Sequence, residues 1–177
     1  GQLVYGPLSD ALGRRRAMAI GLCVLTAGSL VCMLATSFPM MLAGRVIQGL
    51  GAAGPRIVSM AVIRDLYAGR AMARIMSFVT SVFILVPIVA PSMGQGVLIV
   101  ASWRAIFAVL AAASLGVLAW FALRQDETLP VDRRRPLSPG PMLRVLVEVV
   151  TTAQTLRYTA AAGLVFAALI AYLATAQ

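Results

Sequence analysis

Histidine is absent from the 177 residues, cysteine occurs twice, and Asp and Glu together number six. Without histidine, the commonest general base and metal ligand is missing from any enzymatic reading. Cys23 and Cys32 stand nine positions apart in one apolar run. On a helix that spacing puts them on opposite faces and roughly 13 Å apart along the axis, so they can neither pair nor share a metal. Both are expected as buried apolar filler. A membrane enzyme is the weakest class for this chain, because no nucleophile with its base and no metal-ligand cluster can be assembled from it.

Charge is scarce as well: 12% of residues are charged against 60% hydrophobic, and mean hydropathy is +0.91. Soluble domains average about 25% charged. The charges cluster and leave uncharged runs at residues 17–44, 75–103, 105–123 and 158–177. Each approaches or exceeds the roughly 20 residues that a helix needs to cross a hydrocarbon core of about 30 Å. The fold class is therefore all-α integral membrane.

What remains is a large excess of one sign. All 15 basic residues are Arg, and the net charge is +9. A chain this basic invites a nucleic-acid reading, but position argues otherwise. Arg14 to Arg16, then Arg64, Arg70 and Arg74, then six from Arg124 to Arg157 fall on every second loop, and the intervening turns hold only Arg104. That is the positive-inside bias, so the three arginine-rich loops are expected to face the cytoplasm and nucleic acid is not an expected partner.

Along the chain, residues 1–9 read as the end of one spanning helix, followed by a turn through Arg16. A span over 17–35 exits at Thr36-Ser37-Phe38-Pro39, where Ser37 can cap and Pro39 can occupy the first turn of the next helix. That helix runs to about Ile63. Further spans cover 75–100 and 102–123, the second with Trp103 and Trp120 near its two ends, where aromatic rings favour the headgroup region. Residues 124–141 hold four prolines and four arginines and read as an extended linker. The apolar spacing over 142–156 predicts a short helix on the membrane surface, and a last span starts at Tyr158. The chain reads as an internal fragment of a longer protein.

The stretch from Arg45 to Arg56 contains Gly49-x-Gly51-x-x-Gly54. The same spacing marks dinucleotide-binding turns, but those need a strand before the glycines and an acid about 20 residues later in a soluble βαβ unit. Here the glycines lie inside a membrane span, where small residues such as Gly49 and Ala53 at i and i+4 are expected to form a helix-packing face. Arg45, Gln48, Ala52 and Arg56 are spaced 3, 4 and 4, which places them in one stripe along a helix. Its guanidinium groups would stand roughly 16 Å apart along the axis. Buried arginine is costly in a bilayer and usually faces a water-filled cavity or a partner. Arg45 is expected to serve a cavity; Arg56 can do the same or snorkel toward the inner surface.

These residues carry a family resemblance. Gly6-Pro-Leu-Ser-Asp10-Ala-Leu-Gly13-Arg14-Arg15-Arg16 resembles the loop signature between the second and third helices of the major facilitator superfamily. Arg45-Val-Ile-Gln48-Gly49-Leu-Gly51 is similar to the fourth-helix motif of its drug/proton antiporters, and Pro87-Ile-Val-Ala90-Pro91-Ser-Met-Gly94-Gln95 to their fifth-helix motif. With Arg64-Asp65-Leu66-Tyr67, Trp103-Arg104-Ala-Ile-Phe107 and Glu127-Thr128-Leu129-Pro130, the chain looks most like the bacterial Bcr/CflA-type drug-resistance subfamily.

The resemblance implies twelve helices in two halves. Residues 1–123 would be the N-terminal half without its first helix, 124–156 the central cytoplasmic linker, and 157–177 the first helix of the second half. It further implies proton-coupled export of small amphipathic drugs across the bacterial inner membrane by alternating access, with no cofactor beyond the proton gradient, in a protein monomeric at full length. Arg45 would couple protonation to transport, while Gln48, Gly49, Ala52 and Arg56 would line the substrate cavity. Gly6, Asp10, Gly13, Arg14 and Arg15 would form a cytoplasmic gate. Pro87, Ala90, Pro91 and Gly94 would kink the fifth helix. Rival readings are an exporter of a metabolite such as a sugar or short peptide, and a non-transporting membrane sensor.

Overall fold

The computed structural model describes residues 2–134 and 151–175, all of them helix or short connection, with no strand. Among the described residues six α-helices follow one another: α1 Gln2–Leu12, α2 Arg14–Met33, α3 Phe38–Leu66, α4 Gly69–Val100, α5 Trp103–Arg124 and α6 Ala153–Thr175. A single 3-10 turn, Val131–Arg133, follows α5. The helices α2 to α5 are each long and apolar enough to cross a membrane. The chain divides into two units, residues 1–136 and 137–177. The second contributes α6 among the described residues. Its start at Ala153 takes residues 153–156 into that helix rather than into a surface helix, and residues 142–150 of the predicted surface helix lie outside the described residues.

In the first unit α2 is the central element, packed on α3 along one side and on α5 along another. Lipid tails are as apolar as leucine, so helices in a bilayer associate through close packing and hydrogen bonds. The α2–α3 seam meets that requirement with glycine. A Cβ built on Gly21 would stand 3.0 Å from the Gly54 Cα, and one on Gly54 would press on Gly21 and on the Tyr5 ring. Gly28 lies against the backbone of Gln48, and Gly51 against that of Leu25. Beside this seam Ala17, Met18, Leu22, Val58 and Phe121 form a buried apolar cluster. The α2–α5 seam is closed by a buried hydroxyl pair, Thr26 Oγ1 and Ser114 Oγ at 2.7 Å.

Three expectations need correction. Only Gly13 separates α1 from α2, so Arg14 to Arg16 form the first turn of α2 rather than a loop. The packing glycines of α3 are Gly44, Gly51 and Gly54, whereas nothing lies within 4 Å of a Cβ built on Gly49. At about 100° per residue, Gly49 is turned roughly 200° from Gly51 and cannot share its face. Cys23 is exposed, and Cys32 alone is buried, its thiol directed at the Met41 carbonyl oxygen at 3.8 Å.

The cap expected at the start of α3 matches the structure. Ser37 caps α3, its Oγ accepting from the Met40 N–H at 3.4 Å, with Pro39 in the first turn. The helix α4 runs unbroken through Pro87 and Pro91. Arg104 donates to the Ala35 carbonyl at 3.0 Å, which joins the α2–α3 and α4–α5 turns at the arginine-poor end of the bundle.

Gly51→Val is expected to lower thermal stability in detergent micelles, since overpacking of this kind costs about 1–3 kcal/mol. Gly49→Val should change it by about 0.5 kcal/mol or less, being directed into open space. Equal melting temperatures for the two variants would contradict the assignment of the seam.

Candidate functional site

Two groups of polar side chains stand out, one at the arginine-rich end of the bundle and one inside the membrane-crossing part of α3. The first is centred on Arg14, whose side chain is only 10% exposed. Its Nη1 donates to Asp10 Oδ1 at 2.6 Å and to Ser9 Oγ at 2.7 Å, and its Nε donates to Asp65 Oδ2 at 2.9 Å. One guanidinium thus binds the end of α1, one turn back along the chain, to the end of α3. A buried charge is tolerated when it is paired and its donors are satisfied, as here.

The backbone of the same residue holds a third segment. Glu127, just beyond α5, accepts from the Arg14 N–H at 2.8 Å through Oε1 and from the Arg15 N–H at 3.3 Å through Oε2. A carboxylate on the free N–H groups of a helix start gains from both the hydrogen bonds and the helix dipole. Oε1 also accepts from the Leu129 N–H at 3.1 Å, and Arg134 Nη2 lies 3.7 Å from Oε2.

Gly13 makes this possible. Its backbone, at φ 94° and ψ 160°, is in a region essentially confined to glycine. A Cβ there would also overlap the Glu127 carboxylate. Arg15 turns outward and donates to the Ala122 carbonyl at 2.6 Å, while Thr128 Oγ1 donates to Asp65 at 3.3 Å. Among the residues assigned to the gate, Asp10, Gly13, Arg14 and Arg15 are therefore brought together. Gly6 has no close neighbour in place of a Cβ, and it lines an opening of about 320 Å³ with Asp10, Arg14, Arg64 and Asp65.

The second group is a chain of hydrogen bonds from α3 to α2. Arg45 Nη1 donates to Gln48 Oε1 at 2.7 Å, Gln48 Nε2 donates to Ser29 Oγ at 2.8 Å, and Ser29 Oγ donates to the Leu25 carbonyl at 2.8 Å. Gln48 and Ser29 are buried. Gln48 thus tethers α3 to α2, its position on the wheel falling at the edge of the glycine seam. Arg45, Gly49, Ala52 and Arg56 are exposed on the side of α3 turned away from that seam. The Arg45 guanidinium lies 5.9 Å from the centre of the Phe107 ring, and that of Arg56 lies 5.6 Å from the centre of Phe83. Both are cation–π distances. On α4, Pro87 and Ala90 are exposed and Pro91 and Gly94 half-buried, with no neighbour close to Gly94.

The site residues expected from the sequence do not include Asp65, Glu127 or Ser29. For the two acids a signal existed: of only six carboxylates in the chain, both stand among the arginines of the clustered loops. Ser29 had none, as one hydroxyl in an apolar run. No group of His, Cys, Asp or Glu among the described residues could hold a metal ion.

Four apolar spanning helices, clustered arginines at one end and an arginine within a span define a multi-pass α-helical membrane protein. The chain belongs to the Major Facilitator Superfamily, whose model matches residues 1–177. It is 32% identical to the uncharacterized MFS-type transporter YdgK of Bacillus subtilis (strain 168), over 97% of this chain and 43% of that protein. It is 32% identical to the bicyclomycin resistance protein homolog of Haemophilus influenzae, with the same coverage of 97% and 43%. To the multidrug resistance protein MdtL of Salmonella schwarzengrund it is 31% identical, over 82% of this chain and 37% of that protein. The chain thus spans less than half the length of these curated relatives.

Glu127→Ala is expected to cost about 0.5–2 kcal/mol in unfolding stability, as loss of a helix cap does. Glu127→Gln, which keeps an acceptor oxygen, should recover part of that. Gly13→Ala should cost about 2 kcal/mol or more, because backbone strain adds to displacement of the cap. Thermal unfolding of the three purified variants checks the order, and an alanine at 13 that costs nothing would refute the geometry.

Proposed function

We propose that this segment belongs to a transporter that exports small amphipathic drugs across the bacterial inner membrane in exchange for protons. In this reading residues 1–123 come from the N-terminal half of the bundle, 124–156 from the central linker and 157–177 from the start of the second half. The arginine-rich end faces the cytoplasm, in line with the positive-inside bias. The two halves rock around a central site, so that it opens to one side at a time.

The observation that carries the reading is Arg45. It is a charged side chain within a spanning helix, exposed on the side turned away from α2 and anchored by Gln48 and Ser29. A guanidinium in that place is expensive unless it serves a cavity. Held there, its fixed charge alters the cost of keeping a facing carboxylate ionised in a low dielectric, and so links proton binding to the state of the cavity. The names of two relatives, a bicyclomycin resistance protein homolog and a multidrug resistance protein, support drugs as the cargo.

The arrangement around Arg14 fits a latch. It joins the ends of α1 and α3 through short charged contacts next to an opening, and contacts of that kind can be exchanged for others when the halves separate. The protein acts as a monomer at full length, with a proton, a drug and the bilayer as its partners.

In everted vesicles containing the full-length transporter and energised to an acidic interior, adding a transported drug should release protons, followed with a pH-sensitive dye. Arg45→Ala, at matched expression, should abolish that release. Persistence in the variant would remove Arg45 from the coupling path, and silence from folded wild type across a broad panel would sink drug/proton exchange.

A further inference from the structure

A second arginine lies deeper in α3 than the one just described. Arg56 stands ten residues before the end of the helix at Leu66, roughly 15 Å along the axis. The helix has 29 residues, so it extends about 43 Å and overshoots a hydrocarbon core of about 30 Å at its ends. Arg56 therefore sits within the apolar layer. Its guanidinium is not stretched toward the helix end but is laid over the Phe83 ring of α4 at 5.6 Å.

Charge balance around it is one-sided. The acids among the described residues are Asp10, Asp65, Asp126, Glu127 and Asp132, all in the last turn of α1 or α3 or beyond α5. Ion pairs among the described residues engage Arg14 and Arg134, and none engages Arg45 or Arg56. Between the two arginines that exposed side of α3 carries the small residues Gly49 and Ala52, and a Cβ on Gly49 would meet nothing within 4 Å. The face is cationic at two points and smooth between them.

From this we infer that Arg56 is a specificity residue, and that the preferred cargo is an amphiphile carrying an anionic group, a carboxylate or sulfonate, which the Arg56 guanidinium binds. The inference rests on the export reading above and names the substrate class of that site. A guanidinium lying over a ring keeps its edge N–H groups free, and these form the fork that matches an oxyanion with two parallel hydrogen bonds. Phe83 and the small-residue strip supply the surface for the apolar part. An organic cation placed there would meet the like charge of Arg56 in a low dielectric, so the same residue selects against it. Arg45 already commits one N–H to Gln48, which suits it to a fixed role beside the coupling carboxylate, whereas Arg56 is left for the cargo.

The test uses the full-length transporter in everted vesicles and three radiolabelled probes on one aryl scaffold: a carboxylate, its uncharged amide and a trimethylammonium analogue. Wild type should take up the carboxylate with the lowest KM. Arg56→Gln should raise the KM for the carboxylate roughly ten- to hundred-fold, the range set by loss of a hydrogen bond between charged groups. It should change the KM for the amide far less, and an unchanged melting temperature in detergent reports that the variant is folded. Arg56→Lys should restore part of the preference, since it returns the charge without the fork. Equal uptake of all three probes by wild type, or an Arg56→Gln that slows amide and carboxylate alike, would overturn the specificity role and leave export standing. No uptake of any probe by folded wild type would overturn both.

Discussion

The contact of α2 with α3 at Gly21 and Gly54 is made backbone to backbone, and the directions of Gln48, Arg45 and Arg56 on α3 follow from it. In lipid there is no hydrophobic drive to hold two apolar helices together, so closeness itself has to supply the attraction, through dispersion and through the polar links that closeness allows. Because Gly28 brings α2 against the Gln48 backbone, the Gln48 side chain reaches Ser29. Because Gln48 is fixed there, it presents its oxygen to Arg45. The stripe that carries Arg45 and Arg56 is then turned away from α2 and out of the packed core. Replacing the glycines with larger residues would change the rotation of α3 as well as its distance, and the two guanidiniums would be redirected with it.

At the arginine-rich end a different economy applies. Polar groups there lie near water, where a single ion pair contributes little. Three carboxylates are nevertheless concentrated on one residue: Asp10 and Asp65 on the Arg14 side chain, Glu127 on its backbone N–H. The side chain is nearly buried as a result, which strengthens each contact beyond its worth in open solvent. Segments 51 and 113 residues away are thereby gathered at one point.

Much of this order could be read along the chain, because it is one-dimensional. Span lengths and alternating charge locate the helices and the two ends of the bundle, and the Ser37 cap and the Asp10–Arg14 pair depend only on near neighbours. Other features could not be read in that way. Gly49 and Gly51 are equivalent as letters, and only the partner helix decides which of them is the packing face. Gln48 shares a stripe with Arg45 in sequence, yet it lies at the edge of the seam and is drawn inward by a serine 19 residues earlier. Asp65 and Glu127 are ordinary loop acids until the fold brings them to Arg14. The predicted turn through Arg16 failed for a related reason: a single glycine in a conformation reserved for it, with an acid from elsewhere capping the next helix, replaces a whole loop.

Both ends of α2 are clamped to the chain around α5. At one end Glu127 and the Arg15 contact with Ala122 do this, and at the other the Arg104 bond to Ala35. With the glycine seam on its flank, α2 forms a stiff frame with α3 and α5. The long helix α4 has no buried residue in the described unit and touches its neighbours sparsely. Any strain that a bound molecule or a lateral push from the bilayer places on this unit will therefore be taken up as tilting of α4 against a frame that does not yield.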